Sequence, residues 1–252
     1  MHRVQEGINA YLEGDVNTAI KLLTGYISDN LPPQGQAYYY LGLAHCVIGK
    51  NTEAGGYFSK ALELEPEKGM YHYKLALVYS DLMLFEQAIP HLLKTLEQNP
   101  QHVRARFVLG TIYFKTGNLE KAVEEFLSIT RLSPDFAQGY YELGQTLFYM
   151  GDTDRACGAL KKAAELAPEN RLYYYRLAQI YSVSENGTEE MLSNFEKAYE
   201  LGMDDLPFLC HYIIALKGAG KKGEAEAILA KAEEIYPTRP ELSALKEVFN
   251  KP

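Results

Sequence analysis

Proline recurs in this 252-residue chain at Pro66, Pro100, Pro134 and Pro168, each 34 residues after the last. Alanine keeps the same step at Ala54, Ala88, Ala122 and Ala156. A leucine followed by a small residue does so at Leu41-Gly42, Leu75-Ala76, Leu109-Gly110, Leu143-Gly144 and Leu177-Ala178. Glycines stand between them at Gly14, Gly49, Gly117, Gly151 and Gly220. A shared period constrains a chain more than any local motif, because it requires one small supersecondary unit to be built repeatedly and stacked.

Each unit reads as two helices. AYYYLGLAHCVIG and VRARFVLGTIYFKTG place apolar residues at helical spacing and stop on glycine. A second periodic stretch such as EKAVEEFLSITRL follows, and a proline closes it. The small residues let two helices cross closely, while Leu41, Phe58, Phe126 and Leu160 fill the space that remains. One such hairpin cannot bury its apolar faces alone, so neighbouring hairpins must stack.

The columns resemble the tetratricopeptide repeat (TPR) pattern, W-x2-L-G-x2-Y…A-x3-F…A…P over about 34 residues. One unit reads Arg106, Leu109, Gly110, Tyr113, Ala122, Phe126, Ile129 and Pro134; another reads Tyr38, Leu41, Gly42, His45, Ala54, Phe58, Ala61 and Pro66. The resemblance implies an all-α fold, a right-handed superhelical solenoid of helix-turn-helix repeats forming a single domain over 1–252. Seven units are expected at about 1–34, 35–68, 69–102, 103–136, 137–170, 171–205 and 206–239. A capping helix is expected at about 240–250, with Leu242, Leu245 and Phe249 on one face. The pattern is broken in places. Glu6-Gly7 stands for Leu-Gly, Met83 occupies the turn-glycine column, and Pro90 falls inside a second helix, where it should tilt the helix or delay its first turn. The segment SENGTEE makes unit six one residue longer than the others, and Met203-Asp204 replaces its closing proline.

Composition narrows the function. A net charge of −8 argues against a nucleic-acid partner, since Lys and Arg must neutralise phosphates. No apolar run approaches the roughly 18 residues of a membrane span, so direct membrane insertion is not expected, and the start lacks the apolar core of a secretory leader. Cys46, Cys157 and Cys210 are odd in number and form no CxxC, which reads as reduced thiols in a cytoplasmic protein. The six histidines make no metal-ligand spacing, and no phosphate-binding loop or nucleophile elbow is present. His45 and Cys46 are sequential and point different ways on a helix. No catalytic residue, metal or cofactor is therefore expected, and the chain reads as a non-enzyme.

The resemblance implies that the first helix of each pair lines a concave surface through positions 2, 5, 9 and 12 of the unit. Position 5 reads Tyr39, Tyr73, Phe107, Tyr141 and Tyr175. Position 9 ends in Gln145 and Gln179, and position 12 includes Phe114 and Phe148. Arg104, with Lys115, forms a small basic group in the fourth unit. This makes an aromatic stripe on which an extended or helical peptide can lie, with the two amides pairing to its backbone. In an alternative reading the position-5 rings pack only between repeats, and the sequence leaves both open. The carboxylate clamp of some family members needs Lys and Asn at positions 5 and 9; Tyr39, Leu43, Tyr73 and Leu77 stand there instead. The implied function is a protein–protein interaction scaffold or adaptor with a protein or peptide partner. The alternative is a self-assembling homo-oligomeric scaffold, for which Met1, Val4, Ile8 and Tyr11 supply an exposed apolar edge.

Overall fold

The computed structural model describes residues 2–29, 32–184 and 187–250, with the side chains of 248–250 left aside. Among the described residues the chain is all-α, with 15 helices and no strand, and it divides into two compact units, 1–132 and 133–252. The first holds four hairpins: α1 (His2–Leu12) with α2 (Val16–Ser28), α3 (Gly35–Val47) with α4 (Asn51–Leu64), α5 (Gly69–Asp81) with α6 (Phe85–Gln98), and α7 (Val103–Lys115) with α8 (Leu119–Leu132). The second holds α9 (Ala137–Tyr149) with α10 (Thr153–Leu166), α11 (Arg171–Tyr181) with α12 (Thr188–Glu200), α13 (Leu206–Gly218) with α14 (Lys222–Ile235), and then α15 (Pro240–Asn250).

The local chemistry of each hairpin is repeated. Helix starts are capped by Asp15, Asp152, Asn170 and Asp205, whose side chains accept from the backbone N–H of Thr18, Arg155, Leu172 and Phe208. Between the paired helices, Gly49, Gly117 and Gly151 turn the chain with φ of 75°, 77° and 84°. Met83 takes the same turn with φ 58°, although its Cβ crowds the following carbonyl there. Met83→Gly should therefore raise stability by about 0.5–1 kcal/mol, because relief of roughly 1–2 kcal/mol of strain outweighs the extra unfolded-state freedom of glycine. A lowered urea midpoint in that variant would show that the exposed methionine side chain contributes packing instead.

The small-residue columns are crossing points. A Cβ on Gly42 would stand 2.5 Å from the Phe58 ring, and one on Gly110 would stand 2.9 Å from that of Phe126. Gly7 does the same against Leu23, at 2.6 Å, so the Glu6-Gly7 departure keeps the contact that matters. Phe58, Phe126, Leu41, Leu109 and Leu160 fill the interior, each worth roughly 1.5–3 kcal/mol of burial. Pro90 does not delay α6, which starts 34 residues after α4 and 34 before α8. It is exposed, as is Glu86, whose carbonyl loses the donor, so the helix carries it on the solvated side. Side chains also tie helix ends together: Gln98 accepts from Gly69 N–H at 2.9 Å and donates to the Glu67 carbonyl at 2.6 Å.

Two expectations need correction or completion. The apolar edge on α1 is not exposed: Val4 and Ile8 are 2% and 6% exposed, packed with Leu23, Tyr26, Ala37 and Leu41. Residues four apart on α1 face α2 and α3 together, which draws both inward. Tyr11 meets Tyr40 edge-on at 5.6 Å, and Met1 lies outside the described residues. In the second unit α12 and α13 each begin 35 residues after their counterparts in the preceding hairpin, which places the extra residue after α11. Glu185 and Asn186 of that segment lie outside the described residues. Gly202 (φ 82°) ends the hairpin, and Met203 is buried against Phe195 and Phe208 where a proline would have stood outside. Arg171 reaches across to donate to the Gly202 carbonyl, and Tyr236 donates to the carbonyl of Asp204 at 3.3 Å. α15 adds Leu242 to this core with Leu245 beside it, and Lys246 pairs with Glu233 at 2.7 Å; the Phe249 side chain lies outside the described residues. No helix among the described residues is long and apolar enough to cross a membrane.

Candidate binding groove

The position-5 aromatics divide by environment. Tyr39, Tyr141 and Tyr175 are 6%, 4% and 7% exposed. Tyr39 stacks on Tyr71 at 4.7 Å, Tyr141 lies 5.0 Å from Tyr173, and Tyr175 meets Phe208 edge-on at 5.4 Å. Each ring is thus used mainly between one repeat and the next. Burial pushes the Tyr39 hydroxyl up to about 12 and those of Tyr141 and Tyr175 upward as well. Tyr73 and Phe107 are half-buried, the first 4.5 Å from His102 and the second 6.1 Å from Phe126. Phe114 is half-buried. Arg104 is exposed on α7, near enough for its charge to favour ionisation of Tyr73 against the effect of burial. Lys115 is not its companion; its ammonium stands 5.9 Å over the Phe85 ring at the α6 start.

Gln145, Phe148 and Gln179 do come together. With Tyr149 and Arg176 they enclose a narrow pocket between α9 and α11. It borders a cavity of about 530 Å³ whose walls include Phe148, Tyr149, Arg176, Gln179, Met191 and Ile214. Tyr149 and Ile214 are 63% and 54% exposed, so the cavity opens on solvent with apolar walls. A second cavity of about 440 Å³ lies beyond α13, bounded by Leu206, Cys210, His211, Ile214, Ala244 and Leu245, with Glu241 also at its edge.

Polar groups in the groove are partly engaged by their own neighbours. Gln145 donates to Glu142 at 3.4 Å, which leaves its carbonyl oxygen without a partner among the described residues. Arg176 donates to the Gln179 carbonyl oxygen at 2.8 Å and to the Tyr141 hydroxyl at 3.4 Å. Tyr175 and His211 share a 2.6 Å hydrogen bond through Nδ1. The bond engages Nδ1 and leaves the other ring nitrogen, Nε2, without a partner among the described residues. His211 forms the wall common to both cavities.

His45 is buried, with Nδ1 2.9 Å from the Leu41 carbonyl and its ring 4.8 Å from Tyr57. Burial raises the Cys46 thiol, and burial with nearby Glu241 raises Cys210, which disfavours the thiolate in both. No cluster of three metal-ligating side chains occurs among the described residues.

Arg176, His211, Ile214 and Tyr149 were not among the residues expected from sequence. Tyr149 and Arg176 sit at positions 13 and 6 of their units, beside the columns considered. His211 likewise sits at position 6 of the seventh unit, and Ile214 is that unit's position-9 residue, one unit beyond the last at which the columns were read.

Two TPR profiles match the sequence, one at residues 4–68 and 73–135 and the other at 137–170. No curated protein matches it. The C-terminal part of a TPR repeat-containing protein from Cytophaga hutchinsonii superposes with a TM-score of 0.82 at 14% identity, covering 99% of this chain and 100% of its own. PilF of Pseudomonas aeruginosa gives 0.69 at 20% identity, over 84% of this chain and 96% of its own. A crystal structure of MamA gives 0.62 at 25% identity, over 64% and 94%.

Proposed function

The chain belongs to the tetratricopeptide repeat family, and from that premise we propose that it is a non-catalytic interaction scaffold that holds a peptide segment of a partner protein in the groove of α9, α11 and α13. The observation that carries the reading is the open cavity of about 530 Å³, with Tyr149 and Ile214 exposed on its rim. Apolar side chains gathered in one concave surface gain most when a partner covers them. The inner wall is rigid, because Tyr141 and Tyr175 lock neighbouring first helices together. A rigid groove costs a ligand little ordering of the protein. The unpaired cysteines suit a reducing compartment, and the cytoplasm is the one we favour. Self-association through α1 is the weaker reading, since Val4 and Ile8, two of the residues expected to form its edge, are interior.

Phe148→Ala and Ile214→Glu should each weaken binding of a groove-selected peptide by about 1–3 kcal/mol, read by fluorescence anisotropy. Ile214 is more than half exposed, so its replacement should move stability by no more than roughly 0.5 kcal/mol. Unchanged affinity in both folded variants would put the interaction on another surface.

A further inference from the structure

Arg176 is a half-buried cation without a counter-charge. Its Nε and Nη1 donate to neutral oxygens, those of Tyr141 and Gln179, and no carboxylate lies within 4 Å of it among the described residues. Arg155, Lys162, Lys197 and Lys246 of the same unit each pair with an Asp or Glu. Glu142, one helix away, is occupied by Gln138 at 2.7 Å and by Gln145. The large cavity that Arg176 borders has no acidic residue in its wall, although acidic residues outnumber basic ones in this half of the chain. A guanidinium held between an apolar wall and two neutral acceptors keeps a donor fork for a planar anion. His211 adds a second polar group, the ring nitrogen Nε2, to the same wall.

We infer that the occupant of the groove is a peptide segment with an internal Asp or Glu seated on Arg176, beside a bulky apolar side chain that fills the large cavity; this rests on the groove reading above. The carboxylate is internal to the peptide because the binding surface continues on both sides of Arg176, to Gln145 and Phe148 on α9 and to His211 and Ile214 on α13. His211 and Ile214 belong to both cavities, so the chain crosses α13 and sets a second apolar side chain between Leu206 and Leu245. Glu241 borders that second cavity and disfavours an anion there, which fixes the order: the acid lies at the α11 end and the second apolar side chain at the α15 end.

Selection of a displayed library of random 12-residue peptides against the full chain tests this. Binders should carry an Asp or Glu near large apolar residues and should not bind Ile214→Glu. For a selected peptide, Glu→Gln or Asp→Asn should weaken binding to the wild type by roughly tenfold or more. The same change should have little effect on Arg176→Gln, whose fold is checked by circular dichroism. Amidating the peptide C-terminus should change nothing. Binders that need the groove yet lack an acid, or whose acid is indifferent to Arg176, would overturn the inference and leave the groove reading standing. Loss of binding on amidation would also overturn it, in favour of a terminal carboxylate. Should no peptide enrich, or should the binders tolerate Ile214→Glu, the groove reading itself fails.

Discussion

Tyr141→Ala should cost about 3–5 kcal/mol of folding stability, measured as a fall in the urea midpoint. The ring is 4% exposed and packs 5.0 Å from Tyr173, so truncation opens a cavity exactly where two first helices meet. Any loss of partner affinity in this variant would follow from a loosened scaffold. Tyr141→Phe separates the two effects: it keeps the packing and removes only an acceptor 3.4 Å from Arg176, so stability should change by about 0.5–1.5 kcal/mol at most. Wild-type stability in Tyr141→Ala would mean that the ring is not a structural link and would return it to the groove.

Ile8→Lys should release the first hairpin. Ile8 is enclosed by Val4, Leu23, Tyr26, Ala37 and Leu41, so the substitution removes buried apolar volume and places an ammonium among them. We expect a loss of at least about 3 kcal/mol in protection of α1 and α2, read by hydrogen exchange. The effect should fade within a repeat or two, because each repeat leans only on its neighbours. Undiminished protection of α1, with a shift in molecular mass, would restore the exposed edge expected from the sequence.

The fold was legible because each column states a packing requirement in a single residue. Glycine at 42 and 110 marks a crossing that leaves no room for a Cβ, and Phe58 and Phe126 are the side chains that claim the room. Met83 was legible as a departure, but only the backbone shows that the turn keeps its left-handed form at that residue. The groove was less legible. Tyr at position 5 looks the same whether its face meets a ligand or the next repeat, and that depends on a neighbour such as Tyr71 or Tyr173, one repeat further along the chain. Gln145, Phe148 and Gln179 were found because they keep the 34-residue step. Ile214 was missed because the columns were read only as far as the sixth unit, and His211 because position 6 looks like a packing position until a neighbour such as Tyr175 turns it toward the groove.

The bonds between repeats have a bearing on how the protein forms. Gln98 reaches residues 29 and 31 positions away, Tyr236 reaches 32, Tyr173 meets Gln138 across 35, and Tyr175 meets His211 across 36. None of these closures requires a distant part of the chain to be found first. Loop-closure entropy is met in small equal steps, and contact order stays low however many repeats are added. A nascent chain can therefore consolidate each hairpin as soon as the next has emerged during synthesis, with little apolar surface left waiting for a partner not yet made.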